Sequence, residues 1–362
     1  MKDRLLSIAQ DLLACPTAPF REQAVQSHII DFCSAHNIHF QQDTMGNIIA
    51  TYGKQFPDTH IAFEAHMDHP GFIIEKNSRA GKTTALFYGG VEESYFAGTA
   101  VRVFTADGEV TGSVIRTRFY PKQRIKRVWL SLDGSVKKGD TAMWNLPACS
   151  VRCDRLYSRA CDDLVGCTAI LSLLDELKRS RVRKRVTAVF TVAEECGLHG
   201  AKHLCIKKKL PKSLNIFTVE TSMASSNAPL GDGVVIRVGD RGQIFSPALT
   251  RFMMHAARNA VKKDSDFKCQ RKLMDGGTCE SSLYQAFGYR TSALCVPLGN
   301  YHNRNVKQKI IRAEFVSISD LKNMVALFLE MVRSAGELPR FLKQQPPTYI
   351  EEHRNLGERL FY

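Results

Sequence analysis

The stretch that decides the reading of this chain is Phe190-Thr-Val-Ala-Glu-Glu-Cys-Gly-Leu-His-Gly200. An apolar run, Val186 to Val192, ends in two adjacent carboxylates, Glu194 and Glu195; a glycine and a helix-like segment follow at once. The run is short, rich in β-branched residues and apolar on both faces, which predicts a strand buried on both sides. Two anions at the end of such a strand repel each other and are costly to desolvate unless a cation sits nearby. A bound metal would relieve both penalties, and it would need further ligands.

Other strand-like runs supply them. Ile61–Ala65 runs into His66, with Asp68 just beyond; Leu214–Val219 ends at Glu220; Arg290–Pro297 leads to His302. Asp162 and Asp163 stand at the start of a helical pattern. In open α/β sheets, sites form beyond the carboxyl ends of the strands. The spacing thus predicts one cluster of two imidazoles and several carboxylates. Such mixed ligands suit zinc, and also cobalt or manganese. With one bridging carboxylate, five ligands suffice for two ions about 3.5–4 Å apart. Each residue alone has a plainer reading: His66 as a structural histidine, Asp162 as a helix N-cap, Glu194 as a surface carboxylate. His199, His203 and His255 lie on helix-like segments and read as structural or surface residues.

Outward from the cluster, residues 3–14 and 20–35 carry apolar residues at helical spacing. From about residue 73 to 162 that periodicity gives way to short alternating stretches separated by turn signals such as Asp107-Gly108 and Asp133-Gly134. This predicts a small all-β module, residues 73–156, inserted into a larger α/β domain made of residues 1–72 and 157–362. Helices near 163–178, 198–208, 246–262, 281–287 and 317–334 alternate with the strands of the second part. The tail from Gly336 is polar and proline-containing.

Of the 362 residues, 44% are hydrophobic and 24% charged, ordinary values for a globular chain. No apolar run reaches the roughly 18 residues that span a bilayer, and the first ten residues lack the apolar core of a signal peptide. Eleven scattered cysteines without a C-x-x-C pair fit reduced thiols. Together these predict a cytoplasmic protein without membrane association. The net charge is +14, with six basic residues among the eight of Lys178–Arg185 and a second basic stretch from Arg116 to Arg127. Nucleic-acid binding is one reading of such runs. Solvated helix ends and loops are preferred, because no aromatic-interleaved nucleic-acid motif accompanies them.

Along nearly its whole length the chain resembles the M42 family of dinuclear metallo-aminopeptidases, often called glutamyl or deblocking aminopeptidases. The matching pieces are His66-Met-Asp68-His-Pro-Gly-Phe72, Asp162-Asp-Leu-Val-Gly166, Glu194-Glu-Cys-Gly-Leu-His-Gly-Ala201, Glu220 after its strand, Gly276-Gly-Thr278 and His302. The resemblance implies a zinc-peptidase-like, three-layer α/β catalytic domain with a mixed central sheet. The insert would be a small β-barrel, PDZ-like domain. Its position between His66 and Asp162 favours this family over the M20 amidohydrolases and carboxypeptidases, whose extra domain follows the glutamate ligand. The resemblance also implies two divalent metal ions, with zinc preferred over cobalt or manganese. His66 and Glu220 would hold one ion, Glu195 and His302 the other, and Asp162 both. Asp68 would orient His66, and Glu194 would be the general base acting on a water shared by the metals. Successive side chains at a strand end diverge, so one glutamate can ligate while its neighbour overhangs the water. A peptide substrate and a homo-oligomer, from dimer to dodecamer, are implied as well.

Several positions depart from the family pattern: Glu220 where aspartate is usual, Leu164 for arginine, Cys279 for aspartate after Gly-Gly-Thr, and His69-Pro70. Glu280 and the Gly299-Asn300-Tyr301 segment differ as well. Cys279 reads as a small buried residue rather than a reactive thiol. These departures ring the site without removing a ligand and bear on substrate preference. They keep open a metal-dependent deacylase or carboxypeptidase-like amidohydrolase, and beyond it a non-catalytic basic nucleic-acid-binding protein.

Overall fold

The computed structural model describes residues 2–76, 83–121 and 125–343. The chain opens with helices α1 (Lys2–Ala14) and α2 (Gln23–Ala35), then strands β1 (His39–Gln42), β2 (Ile48–Tyr52) and β3 (Asp58–His66). Six strands follow: β4 (Gly71–Lys76), β5 (Thr83–Tyr88), β6 (Ala100–Thr105), β7 (Gly108–Tyr120), β8 (Ile125–Leu132) and β9 (Thr141–Trp144). Next come β10 (Ser150–Arg152), β11 (Arg155–Ser158), helix α3 (Cys161–Arg179), β12 (Arg185–Thr191), α4 (His199–Ile206), β13 (Asn215–Met223), β14 (Val234–Gly239), α5 (Pro247–Lys263) and β15 (Cys269–Leu273). The remainder is α6 (Glu280–Ala286), β16 (Arg290–Gly299), the two-residue strands β17 (Arg304–Asn305) and β18 (Ile310–Ile311), β19 (Glu314–Ser317), α7 (Ile318–Arg333) and α8 (Leu338–Leu342).

The expected all-β insertion is a closed antiparallel barrel in the order β4-β5-β8-β7-β6-β9. Its interior is aromatic: Phe72, Phe87, Phe96 and Trp144 are fully buried, and Phe72 stands edge-on to Trp144 with ring centroids 4.7 Å apart. Closure pairs every strand, so the insertion presents no open edge. Residues 150–156, expected in the insertion, instead enter the large sheet through β10 and β11, which pairs with β19.

That sheet runs β1-β2-β12-β3-β13-β16-β19-β11-β10, with β14 also paired to β16 and β15 to β14. Strands β12, β3, β13 and β16 are parallel, whereas β2 and β19 run antiparallel to their neighbours and β14 runs antiparallel to β16 but parallel to β15, so the sheet is mixed. The pleat sends alternate residues to opposite faces. Phe63, Ala188, Phe217 and Ile236 enter the main core, together with apolar residues of α1, α2, α3, α5 and α7. Ala62, Val189 and Ile216 meet α4 and α6 on the other face. The result is three layers, as expected from the resemblance.

Three strands differ from expectation. Strand β13 continues to Met223, paired with β16 as far as Leu298, so Glu220 lies within the strand rather than at its end. Strands β15 and β19 carry no apolar run long enough to announce them; they form because neighbouring strands offer them partners. The tail beyond residue 343 and part of the Arg116–Arg127 stretch (122–124) lie outside the described residues.

Candidate metal centre

Because β3, β12, β13 and β16 are parallel, their carboxyl ends fall on one side of the sheet. His66 is the last residue of β3, Glu194 and Glu195 follow β12, Glu220 lies in β13, and His302 sits in a 3-10 turn after β16. Asp162 enters in the irregular first turn of α3, and its peptide bond to Asp163 is cis. The structure brings all six together. Nε2 of His66 is 3.5 Å from Asp162 Oδ1, and Nε2 of His302 is 3.6 Å from Asp162 Oδ2 and 3.1 Å from Glu195 Oε1. Candidate ligand atoms lie within 4.8 Å of one another in three groups: His66, Asp162 and Glu220; Asp162, Glu195 and His302; and His66, Glu194 and Glu195.

The main chain presents these side chains by identifiable means. His66 Nδ1 lies 3.1 Å from the carbonyl oxygen of Asp68 and 3.5 Å from its carboxylate, leaving Nε2 directed into the cluster. The Asp68 carboxylate accepts the N–H groups of Glu194 (2.8 Å) and Glu195 (3.0 Å), so its closest role is to hold the Glu-Glu turn. Gly200 of the same motif is required by space: a Cβ there would lie 2.3 Å from Asn47 Oδ1, which accepts the Val192 N–H at 3.1 Å. His302 occupies the left-handed region (φ 54°), as do its neighbours Asn300 and Asn303. A non-glycine residue there costs about 1–2 kcal/mol, and Glu314 offsets it by accepting the His302 N–H at 2.8 Å. The barrel takes part as well: the Gly90 carbonyl lies 3.1 Å from His302 Nδ1, again leaving Nε2 free.

The electrostatics are those of anions gathered out of water. Burial and the like charges of Glu280, Glu195 and Glu220 push the Glu194 carboxyl well above its ordinary value, against the pull of His66. Burial and Glu280 do the same to Glu220, opposed by Arg237. Burial disfavours the charged form of His302, but Glu195 and Asp162 outweigh it and raise its pKa to about 9. The residues present fit a metal. The donor set is imidazole and carboxylate, and Asp162 Oδ1 and His302 Nε2 are buried without a hydrogen-bond partner among the described residues.

Four supporting residues escaped the reading of the sequence. Glu314 accepts the N–H groups of both Asp162 (3.0 Å) and His302 (2.8 Å). His69 bridges the Asp162 carbonyl (2.5 Å) and Asn303 Oδ1 (2.9 Å), which gives the His69-Pro70 departure a positioning role. Glu22, far off in sequence, accepts the N–H of Ala193 at 2.9 Å. His69 and Asn303 stand beside recognised ligands, which is a usable signal; Glu22 and Glu314 have none. Of the other departures, Leu164 and Cys279 are buried, and Glu280 lies 3.3 Å from the Thr191 hydroxyl beside buried Glu64.

A cavity of about 690 Å³ lies elsewhere, at the amino end of β12. Lys54, Lys178, Arg181 and Arg183 line it, so part of the basic Lys178–Arg185 run is gathered there, and none of the candidate ligands is.

Fold and site together define a three-layer α/β domain that carries, at the carboxyl ends of its parallel strands, a cluster able to hold metal ions. The sequence profile of the M42 glutamyl aminopeptidase family matches residues 46–129 and 131–327, and the chain belongs to that family. A glutamyl aminopeptidase of Lactococcus lactis is 26% identical over 272 residues, which are 68% of this chain and 74% of that protein. An aminopeptidase of the archaeon Desulfurococcus kamchatkensis superposes with a TM-score of 0.77 at 20% identity, covering 96% of this chain and 99% of that one. The TET1 peptidase of Pyrococcus horikoshii, described as assembling into a tetrahedron or a large octahedral shell, gives 0.75 at 23% identity over 91% and 99% of the two chains.

Proposed function

We propose that this protein is an aminopeptidase that hydrolyses the first peptide bond of substrates with a free amino terminus, using two divalent metal ions, zinc before cobalt or manganese. The observation that carries this is the pair of ligand groups sharing Asp162: His66 with Glu220 on one side, Glu195 with His302 on the other. His66 and Glu220 would hold one ion, Glu195 and His302 the other, and Asp162 both. When bound, the ions supply Lewis acidity that polarises the scissile carbonyl and acidifies water. Glu194, in the same cluster but outside both pairs, takes the proton from the attacking water and returns it to the leaving amine. Asp68 keeps Glu194 and Glu195 in register for these separate tasks.

The proposed division of the chain is a catalytic domain in two parts with the barrel of β4 to β9 inserted between them, β10 and β11 going with the catalytic sheet, and with Gly90 reaching back to His302. Assembly into a homo-oligomer is supported by the shells described for the Pyrococcus neighbour. Cytoplasmic placement is supported by eleven free thiols; no helix among the described residues is long and apolar enough to cross a membrane.

The test is a mass-spectrometric digest of a mixed peptide pool, half with free and half with acetylated amino termini, with zinc, cobalt or manganese supplied. Stepwise loss of first residues from the free peptides alone is expected. Release of acetyl groups or of C-terminal residues would replace this reading with that of a deacylase or carboxypeptidase-like amidohydrolase.

A further inference from the structure

The basic run Lys178–Arg185 lies away from the metal centre, at the opposite end of β12, and the cavity of about 690 Å³ gathers part of it. A basic run by itself is usually a solvated surface. Here side chains from three segments converge on one concavity: Lys54 from the turn after β2, Lys178 from the last turn of α3, and Arg181 and Arg183 from the loop leading into β12. No carboxylate lines it. A concave wall of one sign concentrates the field and draws in ions of the other sign, and a cavity of this volume admits a small molecule.

The carboxylates nearby are engaged elsewhere. Asp175 is held by Arg4 and His36, Glu176 by Arg179 and the Ser180 hydroxyl, and Asp58 by Arg185. Lys178 also has a partner: its Nζ donates to the carbonyl oxygen of His36 at 3.0 Å, where the negative end of α2 arrives. Lys54, Arg181 and Arg183 form no ion pair among the described residues. Their positions are fixed by the fold. The Tyr52 hydroxyl lies 2.9 Å from the carbonyl oxygens of both Leu177 and Val182, which ties the arginine loop to β2. Gly53 (φ 62°) lets the turn after β2 close on the same loop, since a Cβ there would lie 2.5 Å from the Lys184 carbonyl oxygen. The Phe56 ring is 5.7 Å from the Arg183 guanidinium, close enough to attract the cation.

A single small anion would meet only one or two of these groups. Cations spread over two loops suit an anion that is itself extended, and phosphate oxygens match the planar guanidinium fork. We propose that this cavity binds a small ligand carrying a chain of two or more phosphates, through Lys54, Arg181 and Arg183. The assignment is independent of the aminopeptidase reading, because none of the candidate metal ligands lines the cavity.

The experiment is calorimetric titration of the metal-loaded protein at about 150 mM KCl, where exposed charges are already screened. Tripolyphosphate, ATP, adenosine and sulfate are compared on wild type and on the double variant Arg181→Gln/Arg183→Gln, whose altered side chains are exposed and outside the metal centre. One-to-one binding of tripolyphosphate or ATP is expected, without binding of adenosine or sulfate, and with affinity at least about 10-fold weaker in the double variant. ATP binding tighter than tripolyphosphate would identify a nucleotide as the source, and equal affinities the phosphate chain alone. Phosphates also bind metal ions, but the double variant leaves the metal centre unchanged. Affinity that survives in it would therefore place the ligand at the metals and overturn the proposal. Binding of neither phosphate compound, or sulfate binding equally well, would overturn it by leaving only a solvated basic face. A stronger, steeply salt-dependent affinity for single-stranded RNA, lost in the double variant, would replace the small ligand with a nucleic acid.

Discussion

The carboxylate of Asp68 accepts the main-chain N–H of Glu194 at 2.8 Å, and its other oxygen takes that of Glu195 at 3.0 Å. One buried anion thus fixes the turn that carries both glutamates, while the Asp68 carbonyl faces His66 Nδ1. Asp68→Asn leaves one oxygen to accept, and its amide group confronts the second N–H. We expect a stability loss of about 1–3 kcal/mol and metal affinity weaker by about 10–100-fold. Calorimetric titration with zinc measures the second; unchanged affinity would remove Asp68 from the positioning role.

Glu194→Gln keeps the size and the Asp68 contact, which is made through the backbone, but cannot accept a proton. Turnover should fall by about 100- to 10,000-fold while elemental analysis finds the same metal content as wild type. A variant that retains wild-type kcat would exclude Glu194 as the base.

Glu314 couples two ligands that are 140 residues apart in the chain, accepting the N–H groups of Asp162 and His302. Glu314→Gln can satisfy only one of them. The left-handed turn at His302 then loses support, so metal retention during dialysis against a weak chelator should drop although no ligand has changed. Retention equal to wild type would show that the turn is held by other contacts.

Gly200→Ala tests the spacing within the Glu-Glu-Cys-Gly-Leu-His-Gly motif. Its Cβ would lie 2.3 Å from Asn47 Oδ1 and 2.6 Å from both the N and O of Val192. Backbone cannot yield as a side-chain tip can, so a loss of about 1–3 kcal/mol is expected. Denaturant unfolding reads it; a change below about 0.5 kcal/mol would mean that the turn relaxes freely.

Arg4 and Asp175 join α1 to α3 through two hydrogen bonds, of 2.8 and 2.5 Å. Despite the opposing effect of burial, the Arg4 guanidinium holds the Asp175 carboxyl below its ordinary value. A carboxyl depressed in the folded state contributes stability above its unfolded pKa, and that contribution is lost as pH falls through the folded value. Arg4→Met should therefore cost about 1 kcal/mol at neutral pH, since Arg4 is half exposed. The gap from wild type should narrow below about pH 4. A gap that is constant from pH 7 to pH 3 would contradict the pairing.

Much of the site was legible because metal ligation imposes residue types at strand ends. His66, Glu194 and Glu195 stand where buried apolar runs stop, and such runs are visible in one dimension. The barrel was legible for a similar reason: alternation and turn residues persist over several hairpins. Its limit is not legible, because residues 150–156 look like more short strands and only the pairing of β10 with β11, and of β11 with β19, assigns them to the large sheet. Glu220 was recognised, yet not its place inside β13, since a strand's length depends on the neighbour it pairs with.

The sequence by itself determined the family, the layered α/β class, the inserted β module and the identity of the candidate ligands, because each is written in local period or in residue type. Only the tertiary structure decided what holds those ligands in place. Glu314, Glu22, His69 and the Gly90 carbonyl act through contacts made across large separations in the chain, and a lone acid or glycine carries no mark of its distant partner. Arg237 is a further instance: nothing in Val234–Gly239 announces it, but the register of β14 against β16, and of β16 against β13, turns its side chain to the face of Glu220.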